Sequence, residues 1–338
     1  MKEIQLIVDA HNDLLTELAY RAGQPAPFAR YWHDQLRAGR VGLQVCPVYV
    51  GPDQIPDAAL RTALRQVTAC YRAVREAAGT VRLVRTAADL DGLDPDRQLG
   101  LMLSMEGADP VGRDLALLEI FWQLGVRMIS LTWNDRNAMA DGTGEPDGAG
   151  LSKLGRLAVA ELARLGVIID LAHASERTFY DVMELAPAAA TILVSHAGCR
   201  AVLDAPRNLT DAQLRLLAGR GGVLGVMAHP ISVDPANPTM ARYLDHIDHA
   251  VQVMGDSQVG LGADFIRQVA LSGATGDHGD ALLPTGTSLS DAIAGFVGPA
   301  DFPALTEALQ ARGYAGEELN GILGGNFLRV FRQALPRT

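Results

Sequence analysis

Two side chains that can bind a metal stand close together where the first apolar run of the sequence ends. The run at residues 4–8 is rich in β-branched side chains, and His11 and Asp13 follow it, two residues apart. In an extended segment, residues i and i+2 point to the same side. An imidazole and a carboxylate that project together can serve as two ligands of a divalent cation. The alternative is a buried strand followed by an ordinary polar turn.

Other ionisable residues follow later apolar runs in the same way. They stand at the ends of the third, fifth, sixth and eighth runs, as Glu106, His173, His196 and Asp264 respectively. A single such histidine is more often a hydrogen-bonded core residue than a ligand. Buried charge is costly unless it is paired or bound to a metal. The joint pattern therefore favours a metal centre at one end of a set of strands.

The donor types indicate which metals such a centre would hold. The candidate ligands are His11, Asp13, Glu106, His173 and His196. Three ligands suffice for one catalytic zinc with an open position, and five suffice for two metals if Glu106 bridges them. Two metals about 3.5–4 Å apart can hold a hydroxide between them and polarise a carbonyl oxygen. Asp264 then remains free as general base and proton shuttle. Histidine and carboxylate ligands suit Zn²⁺, although Mn²⁺ or Co²⁺ could serve.

Eight short apolar runs alternate with helix-like stretches and position these residues. The runs cover residues 4–8, 41–50, 99–105, 126–131, 167–171, 191–194, 222–227 and 259–262. Most are continuously apolar, which is typical of parallel strands covered on both faces. The alternation predicts a single (β/α)8 TIM barrel over residues 1–338, with the metal site at the C-terminal ends of its strands. A doubly wound open sheet is the alternative.

Helical spacing and loop composition complete this organisation. Apolar residues recur at helical intervals in residues 57–78 and 151–165, which predicts two amphipathic helices. Two long irregular segments, residues 134–150 and 267–288, follow predicted strands, and such loops lie on the catalytic face of a barrel. Residues 267–288 are the better candidate for a substrate lid, with an ordinary surface insertion as the alternative.

The remaining histidines fall into two groups. His229 follows the seventh apolar run and could reach the site. The others stand in predicted helices or loops and are interpreted as surface residues: His33, His246, His249 and His278.

The bulk composition excludes several classes of partner. The chain has 338 residues, 48% hydrophobic and 20% charged, with a net charge of −10. This is an ordinary globular composition, and its acidity argues against nucleic acid and anionic membranes as partners. The three cysteines are odd in number and far apart in the sequence, which predicts no disulfide framework. Neither a secretory signal nor a membrane-length apolar run is recognised, so we expect a cytoplasmic protein.

Taken together, the polar segments resemble those of the membrane (renal) dipeptidases and their bacterial relatives, a branch of the amidohydrolase superfamily. The matching segments are DAHND at 9–13, MEG at 105–107, IDLAH at 169–173, SH at 195–196, RN at 207–208, GLGADF at 260–265 and GNFLRV at 325–330. They follow the family's order and extend over nearly the whole chain. The combination is specific, whereas none of the segments would be so alone.

The resemblance implies a zinc dipeptidase with two metals. His11 and Asp13 would hold one ion and His173 and His196 the other, with Glu106 as the bridge between them.

It also implies roles for two further residues. Asp264 would be the catalytic acid and base. Arg207 would bind the terminal carboxylate of the substrate, to which its planar guanidinium is suited, with a surface ion pair as the alternative. The family also leads us to expect a homodimer.

The sequence departs from the family pattern around the substrate. The best-known members carry a histidine where Trp133 stands here, and an indole cannot exchange a proton as an imidazole does. The family's aromatic residue after the seventh strand is replaced around His229, and Ile266 stands in place of a second aspartate. We therefore expect Trp133 and His229 to contact the substrate, and hydrolysis to be retained with altered specificity.

Three hypotheses remain open at this point. The first is a metallodipeptidase for small dipeptides, with tolerance of a D-residue at the C-terminal position to be tested. The second keeps the metal chemistry but acts on another small amide, such as an N-acyl amino acid or a lactam. The third is a non-catalytic binding barrel stabilised by metal.

Overall fold

Parallel β-strands form the centre of the computed structural model, which describes residues 6–275, 283 and 286–337. Within these residues, one sheet contains nine strands. They are β1 Ile7–Asp9, β2 Val41–Tyr49, β3 Val81–Leu83, β4 Leu99–Glu106, β5 Val126–Ser130, β6 Ile168–Asp170, β7 Ile192–Ala197, β8 Leu224–Val226 and β9 Val259–Leu261.

Eight of these strands close into a barrel. Going round it, β1 pairs with β2, β2 with β4, and the strands then follow in order to β9, which pairs with β1 through Asp9 and Leu261. The predicted (β/α)8 barrel is confirmed, and its strands correspond to the eight apolar runs. The strand β3 was not predicted. It pairs outside the barrel with the first half of β4, and three residues are too few to show a periodicity.

Helices surround the barrel. They are α1 Leu14–Tyr20, α2 Asp34–Ala38, α3 Ala59–Glu76, α4 Ala116–Gln123, α5 Lys153–Leu165, α6 Glu176–Leu185, α7 Asp211–Gly219, α8 Pro230–Val233, α9 Met240–Met254, α10 Arg267–Leu271, α11 Phe302–Arg312, α12 Gly316–Asn320 and α13 Asn326–Ala334. The two helices predicted from apolar spacing are α3 and α5. Among the described helices, none has both the length and the apolar character needed to cross a membrane.

Two glycines allow the backbone of β7 to approach its neighbours closely at Ser195. A Cβ atom at Gly225 would lie 1.9 Å from the carbonyl oxygen of Ser195, and one at Gly262 would lie 1.8 Å from it. Both positions therefore require glycine, because no side chain fits at such distances. The register of β7 shifts between Val194 and Ala197. This irregularity includes Ser195 and the predicted ligand that follows it.

Two expectations need correction. Residues 267–288 were expected to be irregular, but the segment begins with helix α10, which is anchored by the buried Val269. Residues 276–282 and 284–285 lie outside the described residues, so the lid stays a prediction.

The interpretation of His246 as a surface residue is wrong. It is 0% exposed, because it lies on the inner face of α9. His33 and His249 are half-buried, and His278 lies outside the described residues.

Candidate metal centre and substrate pocket

The residues predicted to bind metal come together at the C-terminal mouth of the barrel, together with the predicted acid and base Asp264. They follow or end five different strands, which is why they are distant in sequence and adjacent in space. His11 and Asp13 follow β1, Glu106 ends β4, His173 follows β6, His196 is in β7 and Asp264 follows β9.

Glu106 lies at the centre of this cluster. Its Oε1 atom is 2.8 Å from Nε2 of His173 and 3.5 Å from Nε2 of His196. Its Oε2 atom is 3.5 Å from Nε2 of His11. The two oxygens of one carboxylate thus face different imidazoles, which is the arrangement that a bridging ligand requires.

Two sets of three residues bring their ligand atoms within 4.8 Å of one another, and His11 belongs to both. One set consists of His11, Glu106 and His196, and the other of His11, Asp13 and Asp264. His173 adjoins the first set, since its Nε2 atom is 2.9 Å from Nε2 of His196. The geometry therefore places Asp264 among the candidate ligands as well, whereas the sequence analysis left it free as a base.

Neighbouring side chains orient two of the three imidazoles that face Glu106. Nδ1 of His173 is 2.7 Å from Oδ1 of Asn134, so the ring donates there and directs Nε2 into the cluster. Nδ1 of His196 is 2.8 Å from the hydroxyl of Ser195, which is in turn hydrogen-bonded to the buried carboxylate of Asp170. Such partners fix the tautomer and the direction of a ligating histidine.

The charges of the cluster are strongly coupled. Burial opposes the charged form of His11, but the carboxylates of Glu106 and Asp13 outweigh it and raise the His11 pKa well above its usual range. Burial also works against ionised Glu106, yet the three histidines hold the Glu106 pKa well below its usual range. Burial, followed by repulsion from Glu106, raises the pKa of Asp13. Burial raises the pKa of Asp264 to about 7. Protonated His11 thus places a positive charge beside the ionised Glu106 carboxylate in the metal-free cluster.

Buried polar atoms without partners provide a test of whether a metal fits. Among the described residues, Nε2 of His11 and Oδ1 of Asp13 have no hydrogen-bond partner. Most buried polar atoms in proteins are partnered, and both of these atoms belong to the set that could hold a cation. The donors are nitrogen and oxygen only, as expected for zinc or manganese. The residues present therefore fit a divalent metal.

The backbone is strained at two residues of the cluster. His173 has φ 63° and Asp264 has φ 55°, in the left-handed region that residues with side chains seldom adopt. Such conformations cost on the order of 1 kcal/mol or more, and they persist where the surrounding structure imposes them. Each residue stands three positions after the end of a strand, β6 or β9, and its side chain belongs to the cluster at the barrel mouth.

A cavity of about 740 Å³, including its open mouth, lies over the cluster. Glu106 and Asp264 form part of its floor, and Trp133, Arg207 and His229 line it. The structure thus brings all three predicted substrate-contacting residues to one pocket. Much of the remaining wall is aliphatic and comes from Met227, Ile231, Ile266, Leu283 and Leu289.

Arg207 is half-buried, and within the described residues no carboxylate pairs with it. Its Nη2 atom donates to the carbonyl oxygen of His196 at 3.1 Å. No ion pair of 4.0 Å or shorter joins it to an acidic side chain in the described part of the chain. Burial lowers its pKa, yet an arginine remains charged at neutral pH. A cation so placed in a pocket is suited to an anionic ligand.

Aromatic rings form another wall of the pocket. The Trp133 ring packs edge-on against Tyr49 at 5.4 Å between centroids and lies 6.0 Å from the His173 ring. Burial and the Glu106 carboxylate raise the pKa of the Tyr49 phenol well above its usual range. Tyr49 therefore stays neutral beside the cluster.

His229 contributes no positive charge to the pocket. Its Nδ1 atom accepts a hydrogen bond of 3.4 Å from the backbone N–H of Ile231, so the side chain caps helix α8. Burial lowers its pKa to about 4, and the ring is neutral at physiological pH. Among the described residues that line the pocket, Arg207 is therefore the cationic side chain suited to an anionic group of the substrate.

A sequence model of the membrane dipeptidase family, peptidase family M19, matches residues 1–274. The chain belongs to this family. The resemblance predicted from the polar segments is thereby confirmed.

Curated M19 relatives include mammalian and fungal proteins. Mouse Dipeptidase 3 is 32% identical over 343 aligned positions, which cover 97% of this chain and 64% of the mouse protein. Human Dipeptidase 3 is 31% identical, with the same coverage. Dipeptidase verJ of Clonostachys rogersoniana is 28% identical over 88% of this chain and 74% of its own length. The chain thus spans less than two thirds of the mammalian relatives.

Solved structures of metallo peptidases share the fold over nearly the full chain. A metallo peptidase from Rhodobacter sphaeroides, with a phosphinate mimic of the dipeptide L-Ala-D-Ala bound, is 26% identical, with a TM-score of 0.81 and coverage of 97% of this chain and 99% of its own. The M19 metallo peptidase dipeptidase AC is also 26% identical, with a TM-score of 0.84 and coverage of 98% and 99%.

Several residues of the site in this M19 chain were not predicted from the sequence. Asp170 and Ser195 stand within the segments that match the family, close in sequence to the candidate ligands His173 and His196. This proximity could have suggested a supporting role. Asn134 and Tyr49 carried no signal, because an amide in a loop and a tyrosine at a strand end occur for many reasons. Their places depend on how β2, β5 and β6 are arranged around the barrel.

Proposed function

We propose that this chain is a binuclear zinc dipeptidase that hydrolyses the peptide bond of small dipeptides. The observation that carries the proposal is the presence of the metal-ligand cluster and the unpaired Arg207 guanidinium in one cavity. A dipeptide has a scissile carbonyl and a terminal carboxylate only a few bonds apart. Both could then be bound at the same time.

The residues present would hold two ions. His11 and Asp13 would bind one, His173 and His196 the other, and Glu106 would bridge them, with Mn²⁺ or Co²⁺ as alternatives to Zn²⁺. When bound, such ions polarise a carbonyl group and lower the pKa of a water molecule.

The chain's own groups would orient the substrate and move the proton. Arg207 binds the terminal carboxylate with its planar fork of donors. Asp264 accepts a proton from the attacking water and passes it to the leaving amine. A carboxyl group that lines the cavity beside the metal-ligand cluster is suited to both steps, because it can take up and release a proton within reach of the substrate.

The lining of the pocket favours apolar substrate side chains. Aliphatic residues from the β8 and β9 loops face the aromatic pair Trp133 and Tyr49 across the cavity. Arg207 supplies one positive charge, which the terminal carboxylate would take up. A charged side chain on the substrate would be desolvated here without a partner.

Hydrolysis of N-acyl amino acids is a second candidate, and one observation favours it. Among the described residues that line the cavity, the acidic ones are Asp13, Glu106 and Asp264, and all belong to the cluster. Once Asp13 and Glu106 bind metal and Asp264 transfers the proton, no separate carboxylate among these lining residues is left for the free ammonium of a dipeptide. An acylated nitrogen needs no such partner.

An activity panel separates the candidates. Metal-reconstituted protein is assayed with L-Xaa-L-Xaa and L-Xaa-D-Xaa dipeptides, including L-Ala-D-Ala, beside N-acyl amino acids that carry the same side chains. Faster turnover of dipeptides supports the first proposal, and turnover of N-acyl amino acids alone supports the second. Hydrolysis that requires metal and disappears in Glu106→Ala would exclude a non-catalytic barrel. The cytoplasmic location and the homodimer stay predictions.

A further inference from the structure

Two buried side chains outside the pocket join the loop that carries Arg207 to the loop that carries His229. These residues are His246 and Asn208, which are 0% and 1% exposed. We propose that His246 and Asn208 are positioning residues that hold Arg207 in place for the substrate's carboxylate. This inference rests on the proposed function, because that function supplies the substrate carboxylate that Arg207 would bind.

His246 forms the first link, from helix α9. Its Nδ1 atom accepts a hydrogen bond of 2.9 Å from the backbone N–H of Cys199, just after β7. Its Nε2 atom lies 3.0 Å from the carbonyl oxygen of Val233, at the end of α8. With an acceptor at one nitrogen and a donor at the other, a neutral imidazole satisfies both backbone groups. Burial lowers the pKa of His246, which keeps the ring in this neutral form.

Asn208 forms a second link between the same two segments. Its Oδ1 atom accepts a hydrogen bond of 2.9 Å from the backbone N–H of Gly198. Its Nδ2 group donates to the carbonyl oxygens of Ser232 at 2.9 Å and Leu203 at 3.0 Å. A carboxamide offers both an acceptor and two donors. Both links therefore join backbone just after β7 to backbone at the end of α8.

The position of Arg207 depends on this backbone. Residues 198–210 lie between β7 and α7 and contain neither a helix nor a strand. The Arg207 side chain has one hydrogen bond, to His196, and no ion pair within the described residues. Its direction is therefore set largely by the loop, and the loop is held by Asn208 and His246. The two links end in α8, and His229 and Ile231 at the start of this helix line the same cavity as Arg207.

The test compares substrates that differ only in the group that Arg207 would bind. A dipeptide and its C-terminal amide are assayed with metal-loaded wild type, His246→Leu and His246→Gln. Leucine removes both hydrogen bonds of the link, whereas the carboxamide of glutamine keeps one acceptor and one donor. We expect wild type to prefer the free acid. In His246→Leu this preference falls on the order of tenfold, through a higher KM for the acid, and in His246→Gln it is largely restored.

Two further variants serve as controls for the acid-to-amide preference. His249 lies on the same helix as His246, and its ring is hydrogen-bonded to Asp211 of α7 at 2.7 Å. His249→Gln therefore changes a histidine of α9 without breaking either of the two links. It should leave the acid-to-amide preference unchanged. Arg207→Gln should abolish the preference. If it does not, the role of Arg207 in the proposed function fails, independently of the two links.

The inference is overturned if folded His246→Leu keeps the wild-type preference, or if it loses activity equally on acid and amide. Should His246→Leu fail to fold, Asn208→Ser is judged by the same criterion. Hydrogen exchange gives a measure that needs no substrate. The amides of residues 198–209 should exchange faster in the variant than in wild type, while those of β4 and β5 stay unchanged. Unaltered exchange in residues 198–209 would also overturn the inference.

Discussion

The carbonyl oxygen of His196 accepts a hydrogen bond of 3.1 Å from the guanidinium of Arg207. The imidazole of the same histidine faces Glu106 in the metal-ligand cluster. One residue therefore links the place where a metal would bind to the place where a carboxylate would bind. This spacing restricts the substrate, because the scissile carbonyl and the terminal carboxylate must reach both places at once. It favours a dipeptide over a longer peptide.

Removal of the central carboxylate should disrupt metal binding on both sides. In Glu106→Ala, His11 and His173 lose the oxygen atoms that lie 3.5 Å and 2.8 Å from them. We expect fewer bound ions per chain and a loss of hydrolysis of at least about 10³-fold, since the metals supply much of the catalysis. Metal analysis of the purified variant and dipeptide assays measure both effects. A variant that retained full metal content would contradict the bridging role.

The partner of His173 should influence metal affinity without touching the metal. Asn134→Leu removes the acceptor 2.7 Å from Nδ1, so the ring is free to change its tautomer and turn. Loss of such a partner lowers metal affinity by about 10–100-fold. Asn134→Asp keeps an oxygen in place and serves as the matched control. Competition with a chelator measures the affinity, and equal values for both variants would exclude this role.

Asp264 should be needed for turnover more than for metal retention. Asp264→Asn keeps the size and an oxygen of the side chain but cannot take up a proton near neutral pH. We expect the variant to retain most of its metal and to lose turnover on the order of 10²–10⁴-fold. Parallel measurement of metal content and kcat distinguishes proton transfer from ligation. Full activity would contradict the acid–base role, and loss of metal would make Asp264 a ligand.

The contribution of Asp264 to the stability of the metal-free protein should fall as the pH rises from about 4 to about 7. Burial raises the Asp264 pKa from 3.8 to about 7 in the folded state, so in this range Asp264 is more fully protonated in the folded state than in the unfolded state. This contribution then decreases with rising pH. Asp264→Asn should remove part of this decrease and make the metal-free protein more stable at pH 7. Thermal unfolding of wild type and variant across this pH range checks the sign of the Asp264 contribution. A wild type whose stability rises relative to that of the variant as the pH rises would contradict the prediction.

A single methyl group in the barrel should be strongly destabilising. In Gly225→Ala the new Cβ atom would meet the Ser195 carbonyl oxygen at 1.9 Å, so β7 or β8 has to move. We expect a loss of about 3 kcal/mol or more in the free energy of unfolding. Gly219→Ala is the control, because nothing lies within 4 Å of its added Cβ atom and alanine favours the helix. Denaturant unfolding compares the two, and similar stabilities would show that the close approach is relaxed in solution.

The barrel and the clustering of the candidate ligands at its mouth could be predicted because their signals are local. Strands buried on both faces are continuously apolar, and the polar residue that ends such a strand stands out against them. His11 and Glu106 were recognised in this way. The sharing of His11 between two sets of ligands was not predicted, since it depends on distances across the barrel mouth.

Residues whose roles depend on tertiary partners were harder to recognise. His246 was interpreted as a surface residue because nothing near it in the sequence shows that Cys199 and Val233 would meet its two nitrogens. Asn134 likewise acquires its role only when the loop after β5 reaches His173. In both cases the partner lies in another loop, so the spacing within the sequence carries no information about the contact.

The most direct test is to titrate metal-free protein with Zn²⁺ while following the hydrolysis of a small apolar L,L-dipeptide. We predict that activity appears with metal, saturates at two ions per chain and is absent from Glu106→Ala under the same conditions. Zinc-loaded protein that hydrolyses no dipeptide, or activity that saturates at one ion per chain, would contradict a binuclear dipeptidase.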